Sequence, residues 1–276
     1  MVHGRVVLPL CLVVVLACAG ARGEPAPGEP GQRPLAMRVE SEIFAGGSKP
    51  VARSLTLFRD GVAWDFLELP AADGRGKDLR LAEIALHDPA RERVVVIDPD
   101  RHVKTQIEAL RLERLGVSLA KWARGSDDRL IRWAGGPDFS EGLTETDAAI
   151  ELEGPRVRYA VALETAPSPE AAVEYRRFAD SALLVRALLH PGGIPPFPRL
   201  ALNRRLEAAG AIPTEVTLEI ESRLGPLGGP AERLTCVHKM HPALLASDAE
   251  RIEDAEAHVA AASAVDLAAF VATGVD

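Results

Sequence analysis

Residues 87 to 102, HDPARERVVVIDPDRH, hold Asp-Pro-x-Arg twice, with His87 beside the first copy and His102 just after the second. Two histidines and several acids at this spacing could converge on a metal ion or a phosphate. Geometry decides against it. Residues 82 to 87, 92 to 97 and 102 to 107 read as three short strands joined at the two Asp-Pro corners. Asp at the first turn position bonds the backbone ahead of it, and Pro at the second supplies a fixed φ. In a three-strand meander these corners lie at opposite ends of the middle strand, on the order of 17 Å apart. Metal–nitrogen bonds are about 2 Å, so one metal cannot reach both histidines. The repeat reads as turn chemistry, and Asp88 and Asp98 cannot act together as acid and base.

The other candidates are equally local. His238 and His241 are three apart, the spacing of a helical metal pair, but they fall on an expected strand, where they point to opposite faces. Cys236 and His238 share a face two residues apart, which would suit a thiol and its base. Cys236 also keeps company with Leu234 and Met240 on an apolar face, the setting of an ordinary buried cysteine. His190 precedes Pro191-Gly192-Gly193 at an expected helix end, where a histidine meets the helix dipole favourably. The sequence contains no HExxH, no G-x-S-x-G, no P-loop and no paired CxxC. Neither a metal nor a cofactor is expected.

The formal charge of −8 argues against a general nucleic-acid binder. Only five of the 32 basic residues are lysines, a skew that makes clusters of arginine weak indicators of anion binding. The N-terminus, MVHGRVVLPLCLVVVLACAGARG, pairs a short basic start with an apolar run too short to span a bilayer, the pattern of a secretory signal over residues 1 to 18. Val15-Leu16-Ala17-Cys18 resembles a lipobox, which makes Cys18 a candidate for lipidation; the alternative is an ordinary signal cleaved nearby. Residues 19 to 34 are rich in Pro and Gly and read as an extended tether. The expected folded domain is residues 35 to 276. It retains only Cys236, so no intrachain disulfide is available.

Hydrophobic periodicity lays out the elements that must position these residues. Strands are expected at 35 to 44, 52 to 59, 62 to 69, at the three segments of the meander, and at 147 to 152, 156 to 164, 214 to 222 and 233 to 240. Helices are expected at 107 to 122, briefly around 130 to 133, at 168 to 189 behind the Ser168-Pro169-Glu170 start, and at 197 to 209. One or two more should follow a capping box at Ser247 to Glu250. About ten antiparallel strands, mostly apolar on one face and charged on the other, need a second apolar layer, and the helices supply it. The expected fold is α+β: one curved antiparallel sheet, a half-barrel, with helices covering its concave face.

Asp60-Gly61 followed by Trp64 and Phe66, and Asp98-Pro99-Asp100 followed by Val103, resemble the turn-and-strand pattern of bacterial lipoprotein-carrier half-barrels of the LolA/LolB type. The echo covers about fifty residues. The chain departs from that family in lacking a long opening helix and in its extra helical region after residue 165. The resemblance implies binding of a lipid or lipoprotein acyl chain between the concave face and the helices, in a periplasmic or envelope protein. The apolar candidates for that face are Val39, Ile43, Trp64, Phe66, Val103, Tyr159 and Val161. Two other function classes remain open: an envelope interaction or structural module whose concave face is filled by its own helices, with a protein partner, and a hydrolase with a site dispersed in sequence. Membrane contact is expected only through an N-terminal lipid anchor.

Overall fold

The computed structural model describes residues 35–70, 79–137, 142–222 and 231–272. The signal, Cys18 and the tether lie outside the described residues. The described residues belong to one compact unit.

The fold is α+β, and the described residues form one open sheet of twelve strands. β1 (Ala36–Ala45), β2 (Ala52–Arg59), β3 (Val62–Pro70), β4 (Leu79–Asp88), β5 (Arg93–Asp98) and β6 (Val103–Glu108) follow one another as an antiparallel meander. β7 (Leu143–Glu145), β8 (Ala149–Gly154), β9 (Val157–Thr165), β10 (Ala211–Ile220) and β11 (Glu232–His241) form a second one. The two meanders join where β1 pairs with β11, Ile43 opposite Cys236 and Val39 opposite Met240. β12 (Ser263–Ala264) adds a short parallel edge to β6. The two strands beyond the ten expected are β7 and β12, three and two residues long; neither is long enough to show alternation.

The two Asp-Pro corners use one device. Asp88 accepts a hydrogen bond from Arg91 N at 3.2 Å and pairs with the Arg91 guanidinium at 2.8 Å. Asp98 does the same with Arg101, at 2.9 and 3.4 Å. Each turn closes on a left-handed residue, Glu92 at φ 49° and His102 at φ 52°.

The α-helices among the described residues are α1 (Ala109–Arg124), α2 (Arg129–Ala134), α3 (Pro169–Leu189), α4 (Phe197–Ala208), α5 (Ala246–Ala261) and α6 (Leu267–Ala272). Ile107, expected to open α1, belongs to β6, which runs to Glu108, and α1 begins at Ala109. The start of α3 is as expected: the Ser168 hydroxyl accepts from Ala171 N at 3.2 Å and Pro169 occupies the first turn. α3 has 21 residues and is about 31 Å long. Its first half packs Ala171, Ala172 and Tyr175 on Met37, Val39 and Phe58. Its second half packs Val185 and Leu189 on Val94, Val96 and Ile107, with Leu112 of α1 and Phe270 of α6. α4 and α2 cover the second meander: Leu130, Leu202 and Leu206 meet Ile150, Leu152, Tyr159 and Val161.

α5 corrects the expectation that all the helices share one face. Cross-strand register places Met37, Phe58 and Ala63 on the face toward α3, and Arg38, Leu57 and Trp64 on the other. On that other face Ile252 and Ala255 of α5 pack against Leu57, Trp64, Phe66, Ile84, Leu86, Val95 and Ile97. Arg38 donates to Asp248 of α5 at 2.5 Å, with the Asp248 side chain only 3% exposed. Strands β2 to β5 are therefore covered on both sides. The helix cap also differs from expectation. Asp248, not Glu250, reaches back to accept from Leu245 N at 2.8 Å, so α5 begins at Ala246.

Candidate functional site: a cleft between the sheet and α1 to α4

On the face toward α3 the second meander presents a continuous apolar floor. Cys236 stands opposite Ile43 on one side and Val216 on the other, Leu234 opposite Leu218, and Leu218 opposite Tyr159. α3 and α4 leave this floor partly uncovered. A cleft of about 1130 Å³ lies there, with Ile43, Tyr159, Val216, Leu218, Ile220, Leu234 and Cys236 as its floor. Its walls are Leu119 and Trp122 of α1, Ile131 of α2, Leu183 and Arg186 of α3, the turn His190 to Pro196, and Arg199 of α4. Trp122 is 58% and Leu234 is 42% exposed, so two large apolar side chains stand at the cleft's rim.

The helix beside the rim is held mainly at its neighbours. Among α1's residues only Leu112 and Ala123 are buried, while Leu110 and Val117 face outward. α2 is drawn against it at Gly135: a Cβ there would lie 2.6 Å from Ala123 Cβ and 2.7 Å from Arg124 N. Asp128 caps α2, accepting from Leu130 N at 2.8 Å, and pairs with Arg156 at 3.2 Å.

Of the seven apolar residues expected to share a site, the cleft takes Ile43 and Tyr159. Val161 is buried beneath α4. Val39 packs under α3, and Val103 packs with the α6 cluster. Trp64 and Phe66 lie on the opposite face against α5 and cannot share a site with the other five. The floor residues Val216, Leu218, Ile220 and Leu234 were absent from that set. Their signal was the sharp alternation of TEVTLEIES and its partner strand.

The same face buries a belt of polar groups beneath α3. Asp65 accepts from Thr56 Oγ1 at 2.9 Å and from Ser54, and burial outweighs those bonds to raise its carboxyl above the usual range. Glu83 pairs with Arg186 at 2.7 Å, and burial again outweighs the cation and raises its pKa. His87 meets Ser181 Oγ at 3.0 Å, and burial helped by Arg186 depresses it to about 3. His238 meets Ser41 Oγ at 2.8 Å and falls to about 3 for the same reason, helped by Arg199. Burial pushes the Cys236 thiol up to about 11. Cys236 and His238 are both neutral at pH 7, so they do not form a thiolate–imidazolium pair. His190 caps α3, yet burial and then Arg186 lower its pKa; the expected gain from the helix dipole does not prevail.

His238 and His241 lie on opposite faces, as their strand requires: His238 is opposite Ser41, and His241 is opposite Arg38. Among the described residues no group of three His, Cys, Asp or Glu side chains could hold a metal ion, and no helix is long and apolar enough to cross a membrane. No protein-family model matches the chain, and no curated protein matches it.

Proposed function

We propose that the protein is an exported cell-envelope protein that binds an acyl chain or a similar apolar ligand, with the sheet acting as a half-barrel and α1 to α4 as a movable cover on its concave side. The cleft itself carries this reading. Close-packed interiors leave few voids larger than a water molecule, and ligand sites run to about 300–1,000 Å³ with predominantly apolar linings. A space of about 1130 Å³ floored by Ile43, Val216, Leu218, Ile220 and Leu234 is therefore a binding volume rather than a packing defect. Exposed Trp122 and Leu234 at its rim give an entering chain apolar contact before it is enclosed. A packed scaffold would have spent these side chains on its own core. The signal-like N-terminus and the Pro/Gly-rich stretch after it support export and tethering of the domain to the envelope.

Native mass spectrometry of the purified protein, followed by solvent extraction, tests the reading. The expected result is a lipid or fatty acid bound one to one, with a lower melting temperature after its removal. A ligand-free mass that added acyl ligands neither shift nor stabilise would overturn it.

A further inference from the structure

The charges that line the cleft are not equivalent. Asp128 is occupied by the α2 amides and Arg156, and Arg186 is held by both carboxylate oxygens of Glu83. Arg199 differs. It lines the cleft from the first turns of α4, and among the described residues no carboxylate pairs with it. Its Nη1 donates to the side-chain oxygen of Asn203, one turn further along α4. Asn203 is 1% exposed, and its amide nitrogen donates to Asp180 Oδ1 at 2.7 Å. That second bond fixes which end of the amide faces Arg199, so the guanidinium is oriented from behind by a neutral, rigid partner.

The groups in front of Arg199 are uncharged as well. It donates to the Tyr175 phenol oxygen and lies close enough to Tyr159, Cys236 and His238 to act on the ionisation of each. Burial keeps both phenols and the thiol protonated, and the imidazole is neutral. A half-buried guanidinium among neutral groups is costly unless something compensates it. Asn203 and Tyr175 accept hydrogen bonds from it, but among the described residues no carboxylate balances its charge. A planar guanidinium whose partners leave most of its five donors unused fits a two-oxygen acceptor.

Resting on the acyl-chain reading above, we propose that the ligand is an anionic amphiphile, and that Arg199 binds its compact oxyanion head, a carboxylate or a phosphate monoester. Register gives the orientation. Arg199 also acts on Tyr159, level with Leu218, but its hydrogen bond is to Tyr175, whose ring stands edge-on to His238, beyond the level of Val216 along β11. Leu218, Leu234 and Ile220 follow toward the β10–β11 hairpin, away from that end. From Val216 to Ile220 the strand runs about 13 Å. The head sits at the Cys236 end and the tail lies along this apolar strip toward the exposed rim.

The test compares three probes of equal chain length, palmitate, hexadecyl phosphate and hexadecanol. Their binding to the full chain is followed by tryptophan fluorescence and thermal shift, in the wild type, Arg199→Met and Arg199→Lys. One or both anionic probes should bind the wild type at least tenfold tighter than the alcohol. Arg199→Met should erase that preference while keeping hexadecanol affinity, and Arg199→Lys should restore part of it even if the Met variant folds poorly. A preference confined to palmitate names a carboxylate, and one confined to hexadecyl phosphate names a phosphate. Equal binding of alcohol and acids by the wild type, or an acid preference that survives in Arg199→Met, overturns the anchor and leaves the acyl cleft standing. Binding of none of the three overturns the cleft and the anchor together.

Discussion

His87 Nδ1 lies 3.0 Å from Ser181 Oγ, a hydrogen bond that ties the end of β4 to the middle of α3. The Phe178 ring sits edge-on to the imidazole, with centroids 5.0 Å apart, so the histidine is enclosed by apolar surface on α3 and by the sheet beneath it. Only 4% of His87 is exposed. The same helix carries Arg186, whose charge adds to burial in keeping the ring neutral.

This enclosure predicts an acid-sensitive contribution to stability. The folded pKa is about 3 against an ordinary 6.5. Between those values the unfolded chain takes up a proton that the folded chain refuses, so stability falls as pH drops through that window, by ~1.4 kcal/mol per pH unit. Asp65 and Glu83, whose pKa values are raised, act in the opposite direction, so the measurement is a difference. Urea unfolding of the wild type and His87→Gln at pH 7 and pH 5 should show the wild type losing about 2 kcal/mol more than the variant. Parallel losses would mean that His87 is protonated in the folded protein.

α5 is held to the sheet by a small number of side chains, with Ile252 fully buried among Leu57, Phe66, Ile84 and Ile97. Ile252→Ala should cost about 2–5 kcal/mol and Ile252→Val about 0.5–1.5 kcal/mol, read from chemical unfolding. Because α5 lies across the sheet from the cleft, probe affinity should be unchanged in the Val variant. A Val variant with weakened binding would show that the two faces are coupled.

Gly135 lets α2 approach α1 closely. In Gly135→Ala the new methyl would meet Ala123 and the Arg124 backbone at well under van der Waals contact. The helices must separate, at an expected cost of about 1–3 kcal/mol. Gly125→Ala is the control, since its Cβ would have only ordinary contacts of 3.5 and 3.7 Å. Hydrogen exchange should quicken in α1 and α2 for Gly135→Ala alone. Equal exchange in both variants would show that this contact does not hold the cover in place.

The sequence was most legible where one face is dry and the other wet. β1 and the long strands of the second meander alternate cleanly, and Ser168-Pro169 marks the start of α3 to the residue. It was least legible where both faces are covered. Val94 to Ile97 are four consecutive buried residues, and Ala63, Trp64, Asp65 and Phe66 are buried in succession on β3. A strand covered on both sides reads as a continuous apolar run. Alternation says which residues share a face, but not which of two apolar faces meets which helix. That ambiguity placed Trp64 and Phe66 in the wrong layer. The run VVVI was itself the signal that something, here α5, covers the outer side. Pro213 hid the start of β10 because a proline argues against a strand; it sits at a register shift between β9 and β10, where the ladder tolerates it. The cleft was harder to read than the fold, because it is a space left between α1, α3, α4 and the floor, and its volume depends on helix placement rather than on any local pattern.

The rim offers the sharpest separation of stability from binding. Trp122 and Leu234 are large, apolar and more than a third exposed, so truncating either to alanine should shift stability by no more than ~0.5 kcal/mol. If acyl chains enter between α1 and the β10–β11 end of the floor, each truncation removes contact that exists only in the complex. An anchor of this kind contributes about 1–2 kcal/mol, so affinity for a fluorescent fatty acid should fall about five- to thirtyfold in each variant. Val117→Ala, on the outward side of α1, should change neither quantity. Full affinity in Trp122→Ala and Leu234→Ala would place the entry elsewhere, and equal losses in all three variants would point to disruption of α1 rather than to lost contact with the chain.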